Sequence, residues 1–195
     1  MTQATIPGYR MGDPALPPSA LDDEAFAKVC AALLLNEEDR QALREAKAIV
    51  EPHIEELLDV WYGFVGSHDF LLQYFSTPEG PNQEYLTRVR ARFGQWVRDT
   101  LSADFGPAWR AYQAEVGRRH AASKNQTDGV RGAPEVVHFR YMVALVYPIY
   151  ATIRPFLARG ARDNEHLERM HQAWLKAVLL NLCLWSEAYV KDGWF

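Results

Sequence analysis

Only two cysteines, Cys30 and Cys183, occur in 195 residues, and they form no CxxC pair. A disulfide framework is therefore not expected, and a reducing, cytoplasmic setting is. HExxH is missing as well. His166 and His171 lie five residues apart and share no helix face, and His53, His68 and His138 have no partner at ligand spacing. A metal site built only from protein ligands is not expected. Long apolar runs are also lacking: the most apolar stretch, 142–153, contains Pro148 and is followed by Arg154, too short to span a bilayer. The first 18 residues have no apolar h-region and do not read as a secretory signal. With a formal net charge of −4, nothing is basic enough for a nucleic-acid footprint. Alternation of period two is absent throughout, so no sheet is expected.

What remains is one domain's length of helical pattern with 12% aromatic residues. Residues 1–18 hold Pro7, Gly8, Gly12, Pro14, Pro17 and Pro18 and read as an extended arm. Ser19 opens a helix to about Leu35, and Asn36 with Asp39 opens a second to about Val50. Pro52 suits the first turn of a third helix, 52–66. A short piece at 69–75 precedes a loop at 76–82. A helix over 82–101 follows, and Asp104 is the expected cap of a helix ending at His120. The segment 124–134 reads as a loop, and two long helices, 135–159 and 163–191, finish the chain. The final helix spans roughly 40 Å at about 1.5 Å per residue. Its stripe (Leu167, Met170, Trp174, Val178, Leu182, Trp185) and that of its predecessor (Val137, Tyr141, Leu145, Ile149, Phe156) pack within the monomer or form a four-helix bundle with a second copy.

Trp109, Tyr112, Val116 and His120 recur at spacings of three, four and four, which places the histidine on an apolar face at a helix C-terminus. Such an imidazole is either a satisfied core histidine or an axial ligand. Haem needs a single protein ligand because it brings its own equatorial four. Without CxxCH it would be held noncovalently. It also needs a flat apolar slot opposite the ligand. The helix bearing Trp61, Tyr62, Phe64 and Val65 and the helix bearing Val89 and Phe93 can supply one, although such stripes are usually plain core.

Several segments carry a family resemblance: IPGY (6–9), LDVWYGFVGSH (58–68), LLQYF (71–75), RVRARFGQW (88–96), AWRAYQAEVGRRH (108–120), KNQTDGV (124–130), RYMVALVYPIYATIRPFLA (140–158) and HQAWLKA (171–177). Over nearly its whole length the chain resembles the protoglobins, haem proteins related to the sensor domains of globin-coupled sensors. The resemblance implies an all-α, globin-like helical sandwich with an extra N-terminal arm or helix before the A helix, the arm (1–18) covering the pocket. It implies haem b with His120 as proximal iron ligand, Trp61 and Tyr62 on the distal B helix, and Val89 where many globins carry a distal histidine. Phe93 lies one turn on, over the haem, and Phe75 belongs to the aromatic wall. Tyr112, Val116 and Ile149 are counted with the pocket. It further implies a homodimer through the last two long helices. The family commonly has phenylalanine where this chain has Leu145, so wider gas access is expected beside Phe93. Arg92 is a propionate partner or a solvated surface arginine.

Reversible binding of O2, CO or NO at a five-coordinate iron, for sensing or scavenging, is the function this implies. The alternative is a haem enzyme: a nitric oxide dioxygenase, a peroxidase, or a catalyst of carbene transfer. Trp61, Tyr62, Val89 and Phe93 include no good general base at neutral pH, which disfavours peroxidase chemistry. A haem-free helical signalling domain is the third class. The chain ends at Phe195 just past the last helix, so no fused transducer is expected and sensing would need a separate partner.

Overall fold

The computed structural model describes residues 6–191 and 193–195, and within them helices dominate. They are α1 (Asp23–Ala32), α2 (Glu37–Val50), α3 (Ile54–Gly66), α4 (Asp69–Leu72), α5 (Gln83–Ser102), α6 (Pro107–His120), α7 (Phe139–Ala144), α8 (Val146–Leu157) and α9 (Asn164–Ser186). Helix α9 is the centre of the packing and touches α2, α6 and α8 most extensively, while α3 lies against α5 and α8.

Local chemistry sets most of the helix starts. Asn36 and Asp39 form a reciprocal capping box on α2, and Asp39 also receives Lys176 of α9 at 2.8 Å on both carboxylate oxygens. Asn82 accepts from the Tyr85 amide at 3.0 Å to open α5, and Asp163 accepts from the His166 amide at 2.7 Å to open α9. The sequence reading differs at three other starts. Asp22, not Ser19, caps α1. Helix α3 begins after a 3-10 turn at Glu51–His53. Helix α6 starts from Gly106 with no side-chain cap, so Asp104 does not serve. Pro107 occupies the first turn of α6 instead, where its missing N–H costs nothing.

Two expectations need correction. The loop at 76–82 contains a minimal antiparallel pair, β1 (Ser76–Thr77) with β2 (Gly80–Pro81), too short to show any alternation. The helix expected over 135–159 starts only at Phe139 and is interrupted at Leu145. Pro148 has no amide to donate to Ala144, which breaks the ladder there. Leu145 and Ile149, on either side of Pro148, pack against the cluster that holds Trp61 and Val65 of α3.

The stripes named on the last two helices mostly face the monomer's own core. Met170, Trp174 and Val178 are 0%, 2% and 1% exposed, so those positions are filled from within. The outward apolar residues are different ones: Tyr147 is 73% exposed and Val143 49%. Two hydrophobic clusters result. A large one is built on α2, α5, α6, α8 and α9, and a small one holds Trp61, Val65 and Leu71. Phe75, Phe93 and Ile149 pack against both.

Candidate functional site

Between these two clusters lies a largely apolar cavity of about 210 Å3. Trp61, Tyr62, Phe75, Val89, Arg92, Phe93, Tyr112, Val116, His120, Leu145 and Ile149 all line it. The structure thus brings together every site residue expected from sequence, from α3, α5, α6, α8, the junction at Leu145 and the segment after α4.

His120 occupies the last position of α6, where the chain leaves for a long loop. Its Nδ1 lies 2.8 Å from the Val116 carbonyl, which can only accept, so Nδ1 carries the proton. That leaves Nε2 with its lone pair free, and it makes no hydrogen bond among the described residues. Burial lowers the pKa of the ring, Lys124 and Arg119 lower it further, and the Val116 bond opposes them, so the imidazole is neutral at pH 7. Protein surrounds the ring, yet part of it stays accessible because it faces the cavity.

The ring is held from behind. Trp185 of α9 stacks on it at 5.7 Å and 25°, and the Trp185 indole donates to Gln113 Oε1 at 3.0 Å. This approach depends on Gly117: a Cβ there would lie 2.7 Å from the Trp185 Cα and 2.7 Å from its carbonyl oxygen. Only a residue without a side chain lets α6 and α9 come so close. The His120 carbonyl accepts from the Val137 amide at 2.8 Å, which ties the far end of the 121–138 loop to the same point.

Another part of the lining is aromatic. Trp61 stacks on Phe93 at 5.5 Å, and Phe93 stacks on Trp96 at 5.2 Å. Tyr62 meets Phe93 and Phe75 edge-on. Burial pushes the Tyr62 phenol well above its ordinary range, so the hydroxyl keeps its proton. No hydrogen-bond acceptor for it is found among the described residues, and the side chain lines the cavity.

One edge of the cavity is polar, and here sequence reasoning missed most. Lys124, Arg119, Thr127 and Asp128 join Arg92. Arg92 is neither a solvated arginine nor a free one. Its guanidinium bonds Asp128 at 3.0 and 2.5 Å and donates to the Pro7 carbonyl at 2.8 Å. Arg119 donates to the Gly8 carbonyl at 2.5 Å. Tyr9 meets Tyr112 edge-on at 5.0 Å and donates to Asp99 at 2.8 Å. Gly8, at φ +78°, allows the close approach, since a Cβ would meet Thr127 at 2.7 Å and Arg92 at 2.8 Å. Residues 6–9 therefore pack behind the polar edge. A buried Lys124, in a loop of mostly small polar residues, carried no sequence signal.

The other histidines have separate partners. His166 pairs with Glu45 at 2.8 Å, His138 with the Tyr74 hydroxyl at 2.7 Å, and His171 with the Tyr150 carbonyl at 2.8 Å. Among the described residues no group of three His, Cys, Asp or Glu side chains is placed to hold a metal ion. The donor set suits a group needing one axial nitrogen and a flat apolar slot.

Comparison with known proteins agrees with this arrangement. The fold is similar to the globin domain of the Geobacter sulfurreducens globin-coupled sensor, with a TM-score of 0.65, 14% identity, and coverage of 85% of this chain and 97% of that one. No curated protein matches the chain. The protoglobin family pattern matches residues 22–194. The chain shares the globin fold and belongs to the protoglobin family.

Proposed function

We propose that the cavity holds haem b noncovalently, with His120 Nε2 as the axial ligand, and that the protein reversibly binds O2, CO or NO as a sensor or scavenger. One observation carries the reading: a neutral imidazole with its Nδ1 proton fixed on a backbone carbonyl and its Nε2 lone pair unused, at a cavity with an aromatic wall. A hydrogen bond from the second nitrogen is how ligating histidines are held in tautomer and orientation. When bound, the haem supplies an iron with one open coordination position.

This chain's residues do the rest. Trp185 and the Val116 carbonyl fix the His120 ring plane. The Tyr62 O–H is the donor for a polarised diatomic, and its unshared hydroxyl favours that role. Trp61 gates the pocket through its stack on Phe93, and Leu145 sets the width beside it. Pro7 and Gly8 back the polar edge through Arg92 and Arg119, which supports the arm as a cover of the pocket; its residues 1–5 lie outside the described residues. The exposed Tyr147 and Val143 and the half-buried Leu175 and Leu179 of α9 support a homodimer through the last helices. Among the described residues no helix is long and apolar enough to cross a membrane. Both thiols are free, which fits the cytoplasm.

Stopped-flow CO binding to wild type and Trp61→Ala tests the site. Faster or multiphasic binding in the variant is expected; unchanged single-phase kinetics would remove Trp61 from the gate. A purified chain with no Soret absorption after haem addition would overturn the whole reading.

A further inference from the structure

Three cations reach the cavity, and they are not equivalent. Arg92 is paired with Asp128, and Arg119 with Glu115 through Nε at 2.9 Å. Lys124 is only 5% exposed, and its ammonium donates to two neutral oxygens, the Tyr74 carbonyl at 2.7 Å and Asn125 Oδ1 at 3.0 Å. No carboxylate lies within ion-pair distance of it among the described residues. Two of its three N–H groups are used, and the side chain lines the cavity with one donor to spare.

Burying an ammonium is costly unless an opposite charge compensates, and neutral acceptors offset only part of that cost. The Tyr85 ring, 5.5 Å from Nζ, adds a weak attraction. Burial alone pulls the Lys124 pKa down to about 8, which leaves the side chain mostly charged at pH 7. A cation this enclosed, at the edge of a cavity lined mainly by apolar groups, marks where the negative end of an amphipathic occupant belongs.

We propose that Lys124 is the carboxylate anchor of this cavity and pairs with a haem propionate, an inference that rests on the haem reading above. Arg92 and Arg119 serve a different purpose, since their partners already hold the N-terminal arm and the loop. The lysine therefore orients the occupant within the slot as well as retaining it.

The test compares loss of haem and of haem dimethyl ester, which lacks the charged carboxylates, to excess apomyoglobin. It uses full-length wild type, K124M and K124Q, the last keeping an N–H for the Tyr74 carbonyl. Wild type should hold haem about ten- to a hundredfold longer than the ester, the span expected for one hydrogen bond between charged groups. Both variants should lose most of that discrimination, and the propionate-bending bands of the resonance Raman spectrum should shift. Discrimination equal to wild type in K124M and K124Q overturns the anchor. Equal acceleration for haem and ester also overturns it, because the lysine would then be only a staple between the loop and Tyr74. Failure of wild type to bind either pigment sinks the haem reading itself, and the anchor with it. If K124M does not fold, K124Q decides.

Discussion

Gly117→Ala places one methyl group where the backbone of α9 already lies. The new Cβ would be 2.7 Å from the Trp185 Cα, 2.7 Å from its carbonyl oxygen and 3.1 Å from its carbonyl carbon. Comfortable carbon contacts begin near ~3.5 Å. The obstructing atoms are backbone, so no rotamer change relieves them, and α6 and α9 must part by roughly 1 Å. Overpacking of this kind costs about 1–3 kcal/mol, and rigid backbone argues for about 3. Alanine's helix propensity returns about 1 kcal/mol. The net loss is therefore about 2 kcal/mol, which at a urea slope of about 2 kcal/mol/M lowers the unfolding midpoint by roughly 1 M. Far-UV circular dichroism against urea reads this directly. A midpoint equal to or above wild type would show that the helices are not held at this distance, and the account of how His120 is backed would fail.

The remaining predictions concern the pocket's chemistry. Tyr62→Phe should speed O2 dissociation about five- to tenfold while changing CO dissociation little, since one neutral hydrogen bond contributes about 1 kcal/mol; flash photolysis and stopped flow separate the two gases, and equal effects on both would remove the donor role. In the haem-free chain His120 and His171 both titrate below their ordinary range because they are buried. The unfolded chain then binds more protons than the folded one below about pH 6.5, so stability should fall as pH drops from about 7.5 to 5.5. His120→Ala should flatten that slope, and an unchanged slope would refute the assignment. Arg92→Ala leaves Asp128, whose side chain is only 4% exposed, without its bidentate partner, at a cost of about 3–5 kcal/mol. Faster hydrogen exchange at the Tyr9 and Asp13 amides should follow as the arm loosens, and unchanged protection there would show that the arm is held elsewhere.

The helix pattern was legible in the sequence for a physical reason: it is periodic. Trp109, Tyr112, Val116 and His120 share one face of α6, and helical spacing turns the last of them inward without saying whether it meets core or cavity; Phe75, Arg92 and Leu145 were expected at the pocket only through the family resemblance. What stayed hidden depends on contacts between distant segments. Lys124 is 124–134 loop material by composition, and only the fold shows it 2.7 Å from the Tyr74 carbonyl. Arg92 sits beside Phe93 as expected, but its pairing with Asp128 and Pro7 joins three parts of the chain. Trp185 belongs to a stripe that equally suited a dimer interface, and its stack on His120 needs the crossing at Gly117. The break at Leu145 follows from Pro148, which removes one helical hydrogen bond, but the apolar periodicity runs on through it and a single helix was expected.

The central claim is that His120 Nε2 ligates iron. Absorption spectra of the ferrous protein with and without CO, for wild type and His120→Ala, test it most directly. Wild type should show a five-coordinate ferrous spectrum that converts to a six-coordinate CO form. His120→Ala should lose haem faster and lack the imidazole-ligated spectrum, and added imidazole should restore it. Haem held equally well by the variant, with an unchanged ferrous spectrum and no response to imidazole, would contradict the account.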